Sequence, residues 1–430
     1  MICAFFKNKY RRNSILFLYF NKLNLTAMIH KAIFLLPLLF FGCQSPKLPV
    51  LETGSQHPMP AAWIDKDTGH KIIHLVNREG DNRSFYFHNN PFLPASGNLD
   101  EQMIFSGKVE GASQLFSVDL KTKETEQLTN KARVSGEIVG KKSRSVYYQC
   151  GDSVFATKIE DKETRLIYVF PDSIRGHITT LNADESLLAG AISSPEEENI
   201  FRKNPEKRDY FNLIYEAKLE RSLFTIDTQT GELKKIFADH AWLNHVQFSP
   251  TDPDVLMFCH EGPWHKVDRI WTINLKGGAP RLMHHRTMEM EIAGHEFFSP
   301  DGKTIWFDLQ MPRSTTFFLC GANVETGVEK SYELKRNEWS IHYNISPDQT
   351  LFAGDGGDPG QVAKAEDGMW IYLFHPEGNR FRSEKLVNMK HHDYQLEPNV
   401  HFSPDGKWII FRANFEGHSD IYAAEISVTQ

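Results

Sequence analysis

The sequence predicts an all-β, seven-bladed β-propeller, and three of its features point that way. Apolar runs of four to seven residues alternate with turn residues along most of the chain, as strands do. A Ser-Pro-Asp-Gly-like turn recurs after Phe248, Phe298, Ile345 and Phe402, with spacings of 50, 47 and 57 residues. That is the period of four-stranded blades carrying loop insertions. No long amphipathic helical pattern interrupts the series, which argues against an α/β fold.

Residues 1–43 stand apart from the fold. Met28-Ile29-His30-Lys31 precedes an apolar run from Ala32 to Phe41, closed by Gly42-Cys43-Gln44-Ser45. A basic head, an apolar stretch too short to span a bilayer and a small residue before a cysteine resemble a bacterial lipoprotein signal. Translation is then expected to start at Met28 and a lipid to sit on Cys43. This gives a cell-envelope protein facing the periplasm or the cell surface, with no other membrane contact. A plain signal peptide with a chance cysteine is the other reading. Residues 44–60 are polar and carry Pro46, Pro49 and Pro58, and are expected to be a tether to a propeller domain over 61–430.

The first strand is expected at 70–76, after the Asp65-Lys66-Asp67-Thr68-Gly69 turn. It would complete the last blade and leave no unpaired edge in the ring. Strands follow at 83–87, 102–105 and 114–119, then at 145–148 and 154–156. The third unit starts at 178–190 and finishes at 223–227. Between those two pieces lies 193–215, a charged, irregular insert expected to wall a cleft. The turns that open units four to seven are structural: Pro fixes φ, Asp bonds the local backbone and Gly takes positive φ. The residues just before them begin the strands nearest the axis, and so reach into or over the central channel.

The chain of 430 residues is 40% hydrophobic, enough to bury a large core. Its net charge is −7 and it has no basic stripe, which excludes nucleic acid as a partner and leaves small anionic ligands open. Cys150, Cys259 and Cys320 are odd in number and far apart, so they build neither a disulfide framework nor a Cys-x-x-Cys metal site. A monomer is expected.

Histidine recurs at the axial entry points: His245, His295, His342 and His401. Blade packing does not ask for imidazole there, so the set is a candidate site. If 397–401 is extended, Glu397, Asn399 and His401 share one face. With His342 they offer nitrogen and oxygen donors for Mn, Fe, Zn or Ca, although a hydrogen-bonded rim cluster reads the same way. Arg269 either grips a carboxylate bidentately or pairs with a neighbour such as Asp268. His260, His245, Arg83 and Asp355, the last in the acidic Gly354–Asp358 loop, are candidate ligand contacts.

The stretches "DKDTGHKI" (65–72), "IDTQTGELKKIFADHAWLNH" (226–245), "CHEGPW" (259–264) with Arg269-Ile270-Trp271, "GHEFFSPDG" (294–302) and "GDGGD" (354–358) resemble the oligogalacturonate lyases. Those are seven-bladed propellers that split short pectin fragments by β-elimination. The resemblance runs from Trp63 to the C-terminus and implies an acidic oligosaccharide substrate. It places the catalytic base on His295 and the catalytic arginine on Arg269. It also implies a divalent metal, manganese or calcium, with His342 as one ligand. The remaining ligand places fall on Tyr394, Glu397 and Asn399, where the family has Gln and two His, so His401 is a candidate helper. The alternative is a non-catalytic glycan- or protein-binding periplasmic propeller resembling TolB. A propeller-linked peptidase fails for want of a Gly-x-Ser-x-Gly elbow.

Overall fold

Seven blades of mainly antiparallel strands follow one another along the chain in the computed structural model, which describes residues 47–97 and 99–428. Blade 4 shows the pattern: Trp242–Phe248 innermost, then Val255–Glu261, Ile270–Asn274 and Arg281–Leu282. Blade 5 repeats it with Ile292–Phe298, Thr304–Gln310, Phe317–Asn323 and Glu329–Leu334. A single bridge, Glu333 to Arg380, joins blades 5 and 6. Blade 7 takes three strands from the C-terminus and a fourth, His70–His74, from the N-terminus, with Ile73 paired to Ala423. That pairing closes the ring as the sequence predicts and removes the free edge.

The middle of the second strand of blade 4 is buried on both faces, so it reads as a continuous apolar run. In blade 4, Leu256, Met257, Phe258 and Cys259 are all fully buried. Met257 packs with Ile305 and Phe307 of blade 5, while Leu256 and Phe258 pack with Ala189 and Leu223 of blade 3. Burying each large side chain contributes about 1.5–3 kcal/mol. The turns behave as their composition requires, with one addition. Ser299, Ser346 and Ser403 each donate a hydroxyl hydrogen bond to the aspartate two residues on, at 2.7, 2.6 and 2.6 Å.

Three innermost strands carry the same irregularity, and a fourth has a related one just ahead of it. In blades 2, 4 and 5 two residues oppose one across the ladder, a β-bulge, and the first of the two has positive φ: Gly136 (65°), His245 (46°) and His295 (53°). In blade 7, Asn399 takes φ 50° just ahead of the strand His401–Phe402. A left-handed residue bends the strand and re-aims its side chain.

Three expectations need correcting. The segment 83–87 is not one strand: Asn82–Arg83 and Phe92–Leu93 pair with the next strand, and 84–91 leaves the sheet. Its aromatic run suggested a strand, but Phe87 donates its N–H to Asn399 Oδ1 at 2.8 Å and stacks on His342. The insert at 193–215 is not irregular. It folds as α1 (Pro195–Lys203), capped by Ser194, and α2 (Lys207–Ala217). Pro at the first position and three glutamates in the first turn suit a helix start. The third concerns 44–60, which is not a free tether over its described part. Val50–Leu51 pairs with Ile64–Asp65, Thr53 donates to Asp65 at 2.6 Å, and Met59 is buried in the core. Cys43 and the leader lie outside the described residues.

Candidate active site

A cleft of about 550 Å³ opens where the innermost strands of blades 4 and 5 begin, and its lining includes His245, Glu261, Arg269, His295, Asp308 and Glu397. Both residues to which the sequence assigns chemistry, His295 and Arg269, face this one space.

His295 reaches the cleft through its bulge. Its ring meets that of His342 edge to face, with centroids 4.9 Å apart, and Trp264 and Phe87 stand at 6.5 and 6.4 Å. Nδ1 is buried with no hydrogen-bond partner, and Asp308 Oδ2 lies 4.0 Å from it. Burial, with His342 and Arg269 alongside, holds the imidazole well below the usual histidine range. At neutral pH the ring is therefore neutral and has a lone pair to offer, as a proton acceptor requires. Burial pushes Asp308 the other way, up to about 7.

Arg269, just ahead of the strand Ile270–Asn274, is locked between two buried glutamates. Nη1 donates to Glu261 Oε1 at 2.8 Å, Nε to Glu296 Oε2 at 2.9 Å and Nη2 to Glu296 Oε1 at 3.3 Å. The ion pair considered from the sequence thus exists, but with these residues; Asp268 pairs with Arg286 instead. Burial works against the charge on Glu261, yet Arg269 holds its carboxyl down at about 2. One guanidinium against two carboxylates leaves the triad net negative. One N–H on each terminal nitrogen of Arg269 is left for a further acceptor.

His342 is fixed from behind. Asp355 accepts from its Nδ1 and from its backbone N–H, both at 2.8 Å. Nε2 then carries the lone pair, 3.3 Å from the Tyr86 hydroxyl and 3.8 Å from Glu397 Oε2. Burial pushes the imidazole down and the Asp355 carboxyl up. His245 lies beside Glu261, 3.6 Å from Nε2 to Oε2, within the same cleft.

Other expected contacts fall elsewhere. Asp355 is fully buried and serves His342, so it offers no oxygen to a ligand. Asn399 spends its carboxamide on Phe87 N–H and Glu397 O. His401 lines the opposite opening of the channel and bonds Asn89 O at 3.2 Å. His260 is one residue out of phase with the cleft-facing Glu261; it stacks on Trp271 at 4.8 Å and approaches Asp239. Arg83 is exposed and outside the cleft lining.

Only His342 and Glu397 of the four expected metal donors therefore converge. Among the described residues no group of three or more His, Cys, Asp or Glu could hold a metal ion. The donor set does not fit the divalent-metal site expected from the sequence.

Sequence reasoning passed over Tyr86, Trp264, Asp308, Glu261 and Glu296. The two glutamates carry a signal in retrospect, since each follows a histidine in a His-Glu pair, at 260–261 and 295–296. Tyr86 and Asp308 carry none, because neither stands in a distinctive pattern.

The family model for oligogalacturonate lyase matches residues 54–429. The chain belongs to the oligogalacturonate lyase family. The oligogalacturonate lyase of Dickeya dadantii (strain 3937) is 26% identical over 393 residues, spanning 85% of this chain and 95% of that one. The oligogalacturonide lyase of Pectobacterium atrosepticum is 24% identical over the same shares. The fold is similar to that of an oligogalacturonate lyase from Vibrio parahaemolyticus, with a TM-score of 0.75 at 25% identity, covering 85% of this chain and 96% of the other. An oligogalacturonate lyase in complex with manganese gives 0.74 at 24% identity over the same shares.

Proposed function

We propose that this oligogalacturonate lyase family member cleaves oligogalacturonides by β-elimination, with His295 as the base and Arg269 at the uronate carboxylate. The observation that carries the reading is the convergence of a neutral, unpartnered imidazole and a guanidinium with spare N–H groups in one cleft.

The proton on C5 of a uronate is weakly acidic. Its removal by His295 moves charge onto the carboxylate as an enediolate, and hydrogen bonds from Arg269 stabilise that charge where it develops. O4 then departs with the electrons of the C4–O4 bond, leaving a 4,5-unsaturated uronide. The manganese in the related structure supports a divalent ion as part of this family's chemistry, whereas here His342 and Glu397 alone of the expected donors converge.

The test is incubation with di- and trigalacturonate while following the absorbance of the new C=C bond. Product from the wild type, with a loss of about 10²–10⁴ in His295→Ala, supports the assignment. No absorbance change from the wild type on any uronide overturns it. The leader supports a lipid-anchored cell-envelope protein; incorporation of labelled palmitate, lost in Cys43→Ala, tests that separately.

A further inference from the structure

The Arg269 triad is net negative, so it does not supply the surplus positive charge that a polyanionic ligand needs. That charge stands at the rim of the same cleft, on Lys207, Arg313 and Lys364. All three are exposed, and none is ion-paired among the described residues. They come from three separate excursions of the chain. Lys207 is the first residue of α2, Arg313 sits in the connection between Thr304–Gln310 and Phe317–Asn323, and Lys364 lies in the long loop between Phe352–Gly354 and Trp370–Glu377.

Their placement is fixed by structure behind them. Arg336 donates from Nη1 to Ala363 O at 2.5 Å and from Nη2 to Ser314 O at 3.0 Å, so one guanidinium ties together the neighbours of Lys364 and Arg313. Ser314 N–H is held again by Gln310 Oε1 at 3.0 Å. On the other wall, the Lys207 ammonium lies over Phe211 at 5.6 Å and Trp264 at 5.9 Å. Trp264 is half-buried and anchored by Nε1 to Glu261 Oε1 at 3.1 Å, giving an apolar ring face next to a cation. A uronate has just this pair of features, a C–H face and a carboxylate.

We infer that Lys207, Arg313 and Lys364 form carboxylate-binding subsites for the uronates flanking the bond that is cut. This rests on the proposed lyase reading and names the residues that grip the neighbouring units of its substrate. A cleft of about 550 Å³ exceeds what one sugar ring occupies, so neighbouring units have room beside the cations.

The experiment compares wild type with Lys207→Gln, Arg313→Gln, Lys364→Gln and the triple variant. Substrates are digalacturonate, trigalacturonate and methyl-esterified trigalacturonate, at low and high NaCl, with thermal midpoints checked for each protein. Expected in the triple variant is a rise of about tenfold in KM for trigalacturonate, a smaller rise for the dimer, and a flatter dependence of KM on salt. The ester should lose the wild type's advantage over the variant. Unchanged KM for trigalacturonate, or an equal loss on the ester, overturns the subsites. If the wild type cleaves no uronide, the lyase reading fails by itself. Calorimetric binding of trigalacturonate then decides the subsites: binding weakened in the triple variant sustains them, and no binding by the wild type ends them.

Discussion

His295 and His342 meet edge to face, ring centroids 4.9 Å apart, although they come from different blades and are held by different means. The first is delivered by a backbone bulge, the second by a buried carboxylate behind it. His342 raises the cost of protonating His295, which keeps a lone pair available at the mouth of the ring.

The bulge gives a prediction that separates chemistry from stability. At φ 53° a side chain must tolerate the left-handed region, which Asn does and β-branched residues do not. His295→Asn is expected to fold with wild-type stability to within about 0.5 kcal/mol, and His295→Val to lose about 1–3 kcal/mol. Both should be inactive. Urea unfolding alongside the absorbance assay measures the difference; equal stabilities would argue against the bulge.

Arg269 is expected to matter to the fold as much as to the reaction. Arg269→Met leaves Glu261 and Glu296 buried without a counter-charge, and should cost about 3–5 kcal/mol. Without the guanidinium, burial alone raises both carboxyls, so the folded state takes up protons that the unfolded state does not. The deficit should therefore shrink as pH falls from 7 to 5. A deficit that stays constant across that range contradicts the assignment.

Acid sensitivity should trace in part to His392. Its Nε2 donates to Leu396 O at 2.7 Å, and burial pushes it down to about 4. Above about pH 6.5 the folded and unfolded states are both neutral there. As pH falls toward 4 the unfolded state gains a proton first, so stability is lost. In His392→Asn the drop in unfolding free energy between pH 6.5 and 5 should be smaller by up to about 2 kcal/mol. Asp308, raised to about 7, acts with opposite sign but is common to both proteins. Parallel stability curves for the two proteins would refute this.

Manganese should bind weakly. With His342 and Glu397 as the converging donors, titration followed by the paramagnetic resonance of free Mn²⁺ is expected to give a Kd on the order of 10⁻⁴ M or weaker. Saturation in the micromolar range would show that Asn399 or His401 turns toward the ion.

The blades were legible because Ser-Pro-Asp-Gly turns and short apolar runs are local signals. What escaped was non-local register. Reading Glu397, Asn399 and His401 as one face assumed unbroken alternation, and the positive φ of Asn399 breaks it, sending His401 to the other opening. The same parity separates His260 from the cleft and puts Glu261 in it. Charge disguised α1 and α2 as loop, because the contacts that fix them are distant: Glu197 pairs with Arg221, and Phe211 packs on Trp242.

The repeated bulge also bears on how such a mouth changes over time. His245 and His295 occupy equivalent left-handed positions whose neighbours across the ladder keep their pairing. An exchange among glycine, asparagine and histidine at either of them alters what the opening presents while the sheet behind it is undisturbed. The ring thus works as a socket board on which catalytic equipment is swapped one pin at a time.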